Sequence, residues 1–173
     1  MNTNENGTKT DILMLTTIGL MVAMAVVFRS YLAIMVTPQF RLSFEFLPIA
    51  IIAMKYGPWK AGTAYMMVDL IAFWLFPRGI YFPGFTFTAF LAGSAYGFFL
   101  YKKPTNNLNA ALAAIAVVVF IQLGLETLWL SIMFGDAYMV LLGGRIIRTV
   151  IMLPLQFVVI KLAATGMRVA KLA

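Results

Sequence analysis

The sequence predicts an all-α membrane protein, a compact bundle of six transmembrane helices with both termini on the cytoplasmic side. Three observations carry that expectation. Of 173 residues, 62% are hydrophobic and 11% charged, where a soluble domain carries roughly 25% charged residues. The apolar stretches are divided by short polar or Pro/Gly-containing breaks, and a span needs about 20 apolar residues, so the length suits about six helices. The cations are also sorted along the chain. With the amino terminus inside, Lys9, Lys55, Lys60, Lys102, Lys103, Lys161, Arg168 and Lys171 fall at the inner side, while Arg29, Arg41, Arg78, Arg145 and Arg148 fall in the outer half. Inner loops rich in Lys and Arg are the usual signature of orientation. Setting Glu5 and Asp11 against the inner cations leaves +6, and setting Glu45, Asp69, Glu126 and Asp136 against the outer ones leaves +1. The formal charge of +7 is therefore mostly topology, and no soluble basic face is left to bind nucleic acid.

A polar tail over 1–10, MNTNENGTKT, precedes a single membrane domain over 11–173. The apolar run after the tail continues beyond any secretory h-region, so the tail reads as a retained cytoplasmic end. Helix one is expected over 12–36, ending before Pro38, because the residue before a proline is disfavoured in helix. A short or tilted helix two follows over 42–54, with Glu45 and Pro48 in it. The segment KYGPWKAG then makes a tight turn into helix three, which runs to about 76. Helix four is expected over 85–101. After the polar break KKPTNN come helix five over 108–134 and helix six over 138–168.

Between helices three and four lies GIYFPGFTFTAF, from Gly79 to Phe90, with Pro77 and Arg78 just before it. Non-helical backbone near a membrane is tolerated where protein buries it or it lines a wet cavity. Tyr81, Phe82, Phe85 and Phe87 offer flat faces for a planar ligand, with Thr86 and Thr88 as hydrogen-bonding partners. The rings equally suit an aromatic belt at the headgroup level.

Arginine at mid-membrane costs a few kcal/mol, about 2.5–3.5 on insertion scales, and so tends to face a partner or a cavity. Arg29 lies about 26 Å along helix one by helical rise. Arg145 and Arg148 are three apart and share a face at the outer start of helix six. The guanidinium fork matches a carboxylate, whether of a ligand or of the chain's own Asp69 and Glu126. Glu126 and Trp129 also share a face, with Gln122 one turn below. A carboxylate and an amide beside an indole suit the donor edge of a heterocycle; alternatively Glu126 pairs with an arginine and Trp129 faces lipid. Gly19 with Ala23, and Gly93 with Gly97, are small-residue pairs at the spacing that lets another helix approach closely.

Cysteine and histidine are both absent, which removes disulfides, thiol chemistry, most transition-metal sites and histidine acid–base catalysis. No phosphate-cradling GxxxxGK[ST] loop, HExxH or nucleophile elbow occurs. No enzyme activity and no cofactor are expected, and uphill transport would draw its energy from a partner or an ion gradient.

The segments FEFLPIAIIAMKYGPWKAG, LFPRGIYFPGFTFTAFLAGSAYG, LGLETLWLSIMFGDAYMVLL and RIIRTVIMLPLQ resemble the substrate-binding S components of energy-coupling factor (ECF) vitamin transporters, within them the folate branch. The resemblance covers nearly the whole chain after the tail. It implies a six-helix protein of a prokaryotic plasma membrane, with a vitamin site near the outer surface and both termini inside. It also implies that Gly19 and Ala23 dock on a transmembrane coupling subunit, that two cytoplasmic ATPases consume the ATP, and that the loaded subunit topples to release vitamin inward. It leads us to expect an asparagine where this chain has Glu126, and an arginine one place from Arg29.

Folate suits the inventory, having two carboxylates, a planar donor-rich pterin and an apolar middle ring. Arg29, Arg145 and Arg148 are the candidates for the carboxylates, and Glu126, Trp129, Tyr81, Phe85 and Thr86 for the rings. The competing readings are another vitamin on the same scaffold, such as pantothenate or a deazapurine, and a structural membrane subunit that binds no metabolite.

Overall fold

The computed structural model describes residues 3–37, 40–77, 80–103, 106–135 and 138–169. Pro38, Arg78, Asp136 and Lys171 lie outside them. Among the described residues, six helical segments are present. They are α1 (Thr3–Ser30), α2 (Phe46–Tyr56), α3 (Pro58–Leu75), α4 (Pro83–Leu100), α5 (Asn107–Phe134) and α6 (Tyr138–Val169).

Two boundaries differ from expectation at α1. The helix begins at Thr3, inside the polar tail, since each residue added to an existing helix gains a backbone hydrogen bond without a new nucleation step. It ends at Ser30 rather than near 36, because β1 (Ile34–Thr37) pairs antiparallel with β2 (Phe40–Leu42), with Ile34 opposite Leu42 and Met35 opposite Arg41. The run IMVT is rich in β-branched residues, which favour a strand wherever a partner strand is available.

The α2–α3 junction is a single residue. Gly57 has φ +86°, a conformation open to glycine and strained for other residues, and Pro58 starts α3 where its missing N–H is no loss. Pro83 likewise opens α4, so it starts a helix and does not interrupt one. The glycine pair Gly93 and Gly97 is occupied within the chain: a Cβ on Gly93 would strike the Ala61 carbonyl, and one on Gly97 would strike the Pro58 backbone. The α3 and α4 backbones therefore cross in direct contact. In α5 the middle section, Ala116–Leu125, is wound as π-helix between α-helical ends, a winding frequent at functional sites.

Contacts at one pole set the helices antiparallel. Lys60 Nζ reaches Met14 Sδ at 2.7 Å, the Tyr101 ring packs on Gly57, and Lys161 bonds Asn107. The first parts of α1, α3 and α5 thus meet the last parts of α2, α4 and α6, so the start of α1 and the end of α6 lie at that pole. The opposite pole gathers Arg29, the hairpin, the start of α2, and the residues that precede α4.

Helices α1, α5 and α6 contain segments long and apolar enough to cross a membrane: Asp11–Ser30, Asn107–Phe134 and Leu141–Val169. At 18 residues each, α3 and α4 rise about 27 Å, close to the hydrocarbon thickness, while the 11 residues of α2 rise about 16 Å. The short helix is built into the core: Phe46, Ile49, Ala50, Ile52 and Ala53 are all buried, in the same apolar cluster as Tyr96, Val68 and Val117. Leu13, Leu20, Trp74, Phe98 and Phe120 point outward, as a bundle solvated by lipid requires.

Candidate functional site

Among the described residues, the charged side chains of the Arg29 pole fall into two groups. In the first, α1 brings Arg29 to Glu45, which directly precedes α2, and to Asp69 of α3. Its Nη2 lies 2.6 Å from Asp69 Oδ1, and its Nη1 lies 3.4 Å from Glu45 Oε2. Asp69 is buried, and its other oxygen accepts from Thr86 Oγ1 at 2.7 Å; that hydroxyl is 3.0 Å from the Tyr81 hydroxyl. Tyr65 donates to Glu45 Oε1 at 3.3 Å. In the second group, Glu126 Oε2 accepts from Arg145 Nη2 at 2.7 Å and stands 3.6 Å from Arg148 Nη1, while Arg145 Nη1 donates to Thr127 at 3.0 Å. All three arginines named from the sequence therefore meet carboxylates of the chain itself. Pairing of this kind is what makes a guanidinium tolerable away from bulk water.

The pairing does not close the space around them. A cavity of about 190 Å³ is lined by Arg29, Glu45, Tyr65 and Asp69 on one side and by Gln122, Glu126 and Arg148 on the other, with Phe85, Thr88 and Ala89 between. Beside it, a cavity of about 150 Å³ shares Arg29, Asp69 and Phe85 and is walled by Phe73, Phe76, Tyr81 and Phe82. One hollow thus carries acids and guanidinia, and the adjoining one carries rings.

The eight ligand candidates do not all fall on these walls. Arg29, Arg148, Glu126, Tyr81 and Phe85 line the two cavities. Arg145 lines a separate space of only about 10 Å³, behind Arg148. Thr86 is engaged by Asp69 and Tyr81. Trp129 donates its indole N–H to Thr88 Oγ1 at 2.9 Å and packs on Phe82, at 5.6 Å between centroids. These three residues set the walls from behind. Gly84 permits that packing, since a Cβ there would collide with Phe82 and Trp129.

Glu45, Tyr65, Phe73 and Phe76 were not singled out in the sequence. For Glu45 a signal was present, because an ionisable residue inside an apolar segment is by default a functional candidate. Gly19 and Ala23 lie elsewhere, on an outward apolar groove of about 490 Å³ between α1 and α3; nothing comes within 4 Å of where a Gly19 side chain would begin. Among the described residues no group of acids could hold a metal ion.

Residues 13–164 match the family model "ECF transporter, substrate-specific component". The folate transporter FolT of Clostridium novyi (strain NT) is 37% identical over 140 residues, which is 81% of each chain. The folate transporter FolT of Leuconostoc mesenteroides is 29% identical over 126 residues, 69% of this chain and 68% of that one. A crystal structure of FolT bound with folic acid superposes with a TM-score of 0.81 at 38% identity, covering 92% of this chain and 94% of the other. With the helical order and the apolar exterior, these likenesses make the chain a membrane protein of the family of substrate-specific components of ECF transporters.

Proposed function

We propose that this chain captures folate from outside the cell and passes it inward as the binding subunit of an ECF importer. The observation that carries the reading is the likeness, over nearly the full length of both chains, to a FolT that holds folic acid. The paired hollows support it, for the rings of Tyr81, Phe82 and Phe85 suit a flat pterin, and Arg148 stands where an acidic end would need a cation. Arg29 lines both hollows while held by two carboxylates, and Arg145, which lines neither, acts on the ligand through its neighbours. In this reading the Arg29 pole faces outward, and the pole with both termini is cytoplasmic, in a multi-pass plasma-membrane protein. The sorting of lysines to that pole supports the orientation.

The apolar groove at Gly19 and Ala23 fits a helix of the transmembrane coupling subunit, to which two ATPases would add the energy that this chain has no loop to extract. The loaded subunit would topple to deliver its vitamin. Purification of the chain alone, followed by mass spectrometry of what accompanies it and thermal melts with a vitamin panel, tests the ligand. Protection by folates is the expected result. Protection by pantothenate or a deazapurine, with none by folates, overturns it.

A further inference from the structure

At the pole where α1 begins and α6 ends, positive charge is left without acidic partners. Every ion pair among the described residues lies at the Arg29 pole. At this one the lysines rest on tyrosine rings. Lys55 Nζ stands 5.4 Å and Lys60 Nζ 5.9 Å from the centre of the Tyr56 ring, and Lys102 Nζ stands 5.2 Å from that of Tyr101. The two rings are neighbours across the α2–α3 junction, since Tyr101 packs on Gly57, the residue after Tyr56. A ring face attracts an ammonium without neutralising it, so three exposed cations are gathered along one edge with N–H donors left over. Lys60 reaches Met14 Sδ, one turn from Asp11, and forms no ion pair with that acid.

The backbone adds a second observation. Lys102 follows the end of α4 with φ +60°, the left-handed conformation that glycine or asparagine usually takes there. Glycine would form the turn with less strain. The strain holds a charged side chain on Tyr101, where glycine would leave none, and strain of this kind clusters at binding sites.

The surface beside this edge is apolar. Trp59, next to Lys60, is 76% exposed and its ring packs on Phe90, while Phe98 on the last turn of α4 is 79% exposed. Outward rings beside lysines mark headgroup depth, with the rings toward acyl chains and the ammonium groups toward water. An occupant that suits both is anionic at one end and apolar at the other. We propose that this edge binds an anionic phospholipid of the adjoining leaflet. Its phosphate lies over Tyr56 and Tyr101 among Lys55, Lys60 and Lys102, and its acyl chains run along the outward apolar side chains of α3 and α4. The site is independent of what fills the hollow at the Arg29 pole.

The purified full chain in detergent is titrated with phosphatidylglycerol and with phosphatidylcholine of the same acyl chains, and bound lipid is read by native mass spectrometry. Preferential retention of phosphatidylglycerol is expected. Each lysine near an anionic surface is worth about fivefold in affinity, so Lys60→Gln should weaken phosphatidylglycerol about fivefold. Combining Lys55→Gln, Lys60→Gln and Lys102→Gln should weaken it more than about tenfold, with phosphatidylcholine unchanged. Lys102→Gly removes a charge and relieves the turn; it should weaken phosphatidylglycerol about fivefold while the melt of the lipid-free protein holds or rises, which separates lost binding from lost folding. Equal retention of the two lipids, or a preference that survives the triple change, overturns the proposal. Inorganic phosphate or polyglutamate excluding the lipid from this edge also overturns it, in favour of a free anion or an acidic protein.

Discussion

Replacing Asp69 by asparagine tests whether the Arg29 group is a scaffold. The aspartate is 8% exposed and supplies the 2.6 Å partner of Arg29; the arginine is 26% exposed and keeps only the 3.4 Å approach to Glu45 once that charge is gone. Removing one member of a fully buried pair costs about 3–5 kcal/mol. Here the amide oxygen still accepts a hydrogen bond and Arg29 keeps some solvent, so the loss falls in the range of a hydrogen bond to a charged group, about 1.5–3 kcal/mol. At about 2–4 °C per kcal/mol for a domain of this size, Tm should drop by about 3–12 °C. Intrinsic tryptophan fluorescence during a thermal ramp in detergent reads the change. The same ramp on Arg29→Gln and on the double variant closes a cycle, in which the double variant should be no less stable than the worse single one. Asp69→Asn melting with the unaltered protein, or strictly additive losses in the cycle, would refute the reasoning.

Two further outcomes follow from packing. Gly97→Ala should destabilise the isolated chain by about 1–3 kcal/mol, the usual cost of overpacking, because its new methyl meets the Pro58 backbone. Gly19→Leu, placed where nothing lies within 4 Å, should leave the melt unchanged and reduce recovery of the coupling subunit in co-purification. Gln156 is fully buried; its Oε1 accepts from Tyr96 at 2.6 Å and its Nε2 has no hydrogen-bond partner among the described residues. Gln156→Leu alone should lower Tm by stranding the tyrosine hydroxyl. Adding Tyr96→Phe should restore it, since removing both halves of a buried polar pair is nearly neutral.

Much of the bundle was legible because its punctuation is chemical. Gly57 followed by Pro58, and the polar break before Asn107, end helices for reasons of backbone geometry that hold in lipid as in water. What could not be read was which way each helix faces. When lipid and protein core are equally apolar, no periodicity separates them, so nothing in the sequence marked Val68 as buried and Trp74 as exposed. The same blindness hid the π-helical section over Ala116–Leu125 and the pairing of Ile34–Thr37, which depends on a partner strand. At the site, arginines stood out against an apolar background, and Asp69 and Glu126 were visible as partners. That Arg29 sits closer to Asp69 than to Glu45 was not, because it depends on two distances, 2.6 against 3.4 Å, that no spacing encodes.

The brevity of α2 has a consequence for how such a protein can change its cargo. It has 11 residues against the 18 of α3 and α4, a deficit of about 10 Å of helix. Ser43 and Glu45, which face the hollow, sit in the chain that enters this stunted helix. Room for a guest is therefore set by an unfinished column, and not by whittling down side chains on the neighbours. Lengthening or trimming that one connection would resize the vestibule while every crossing between the tall helices stayed as it is.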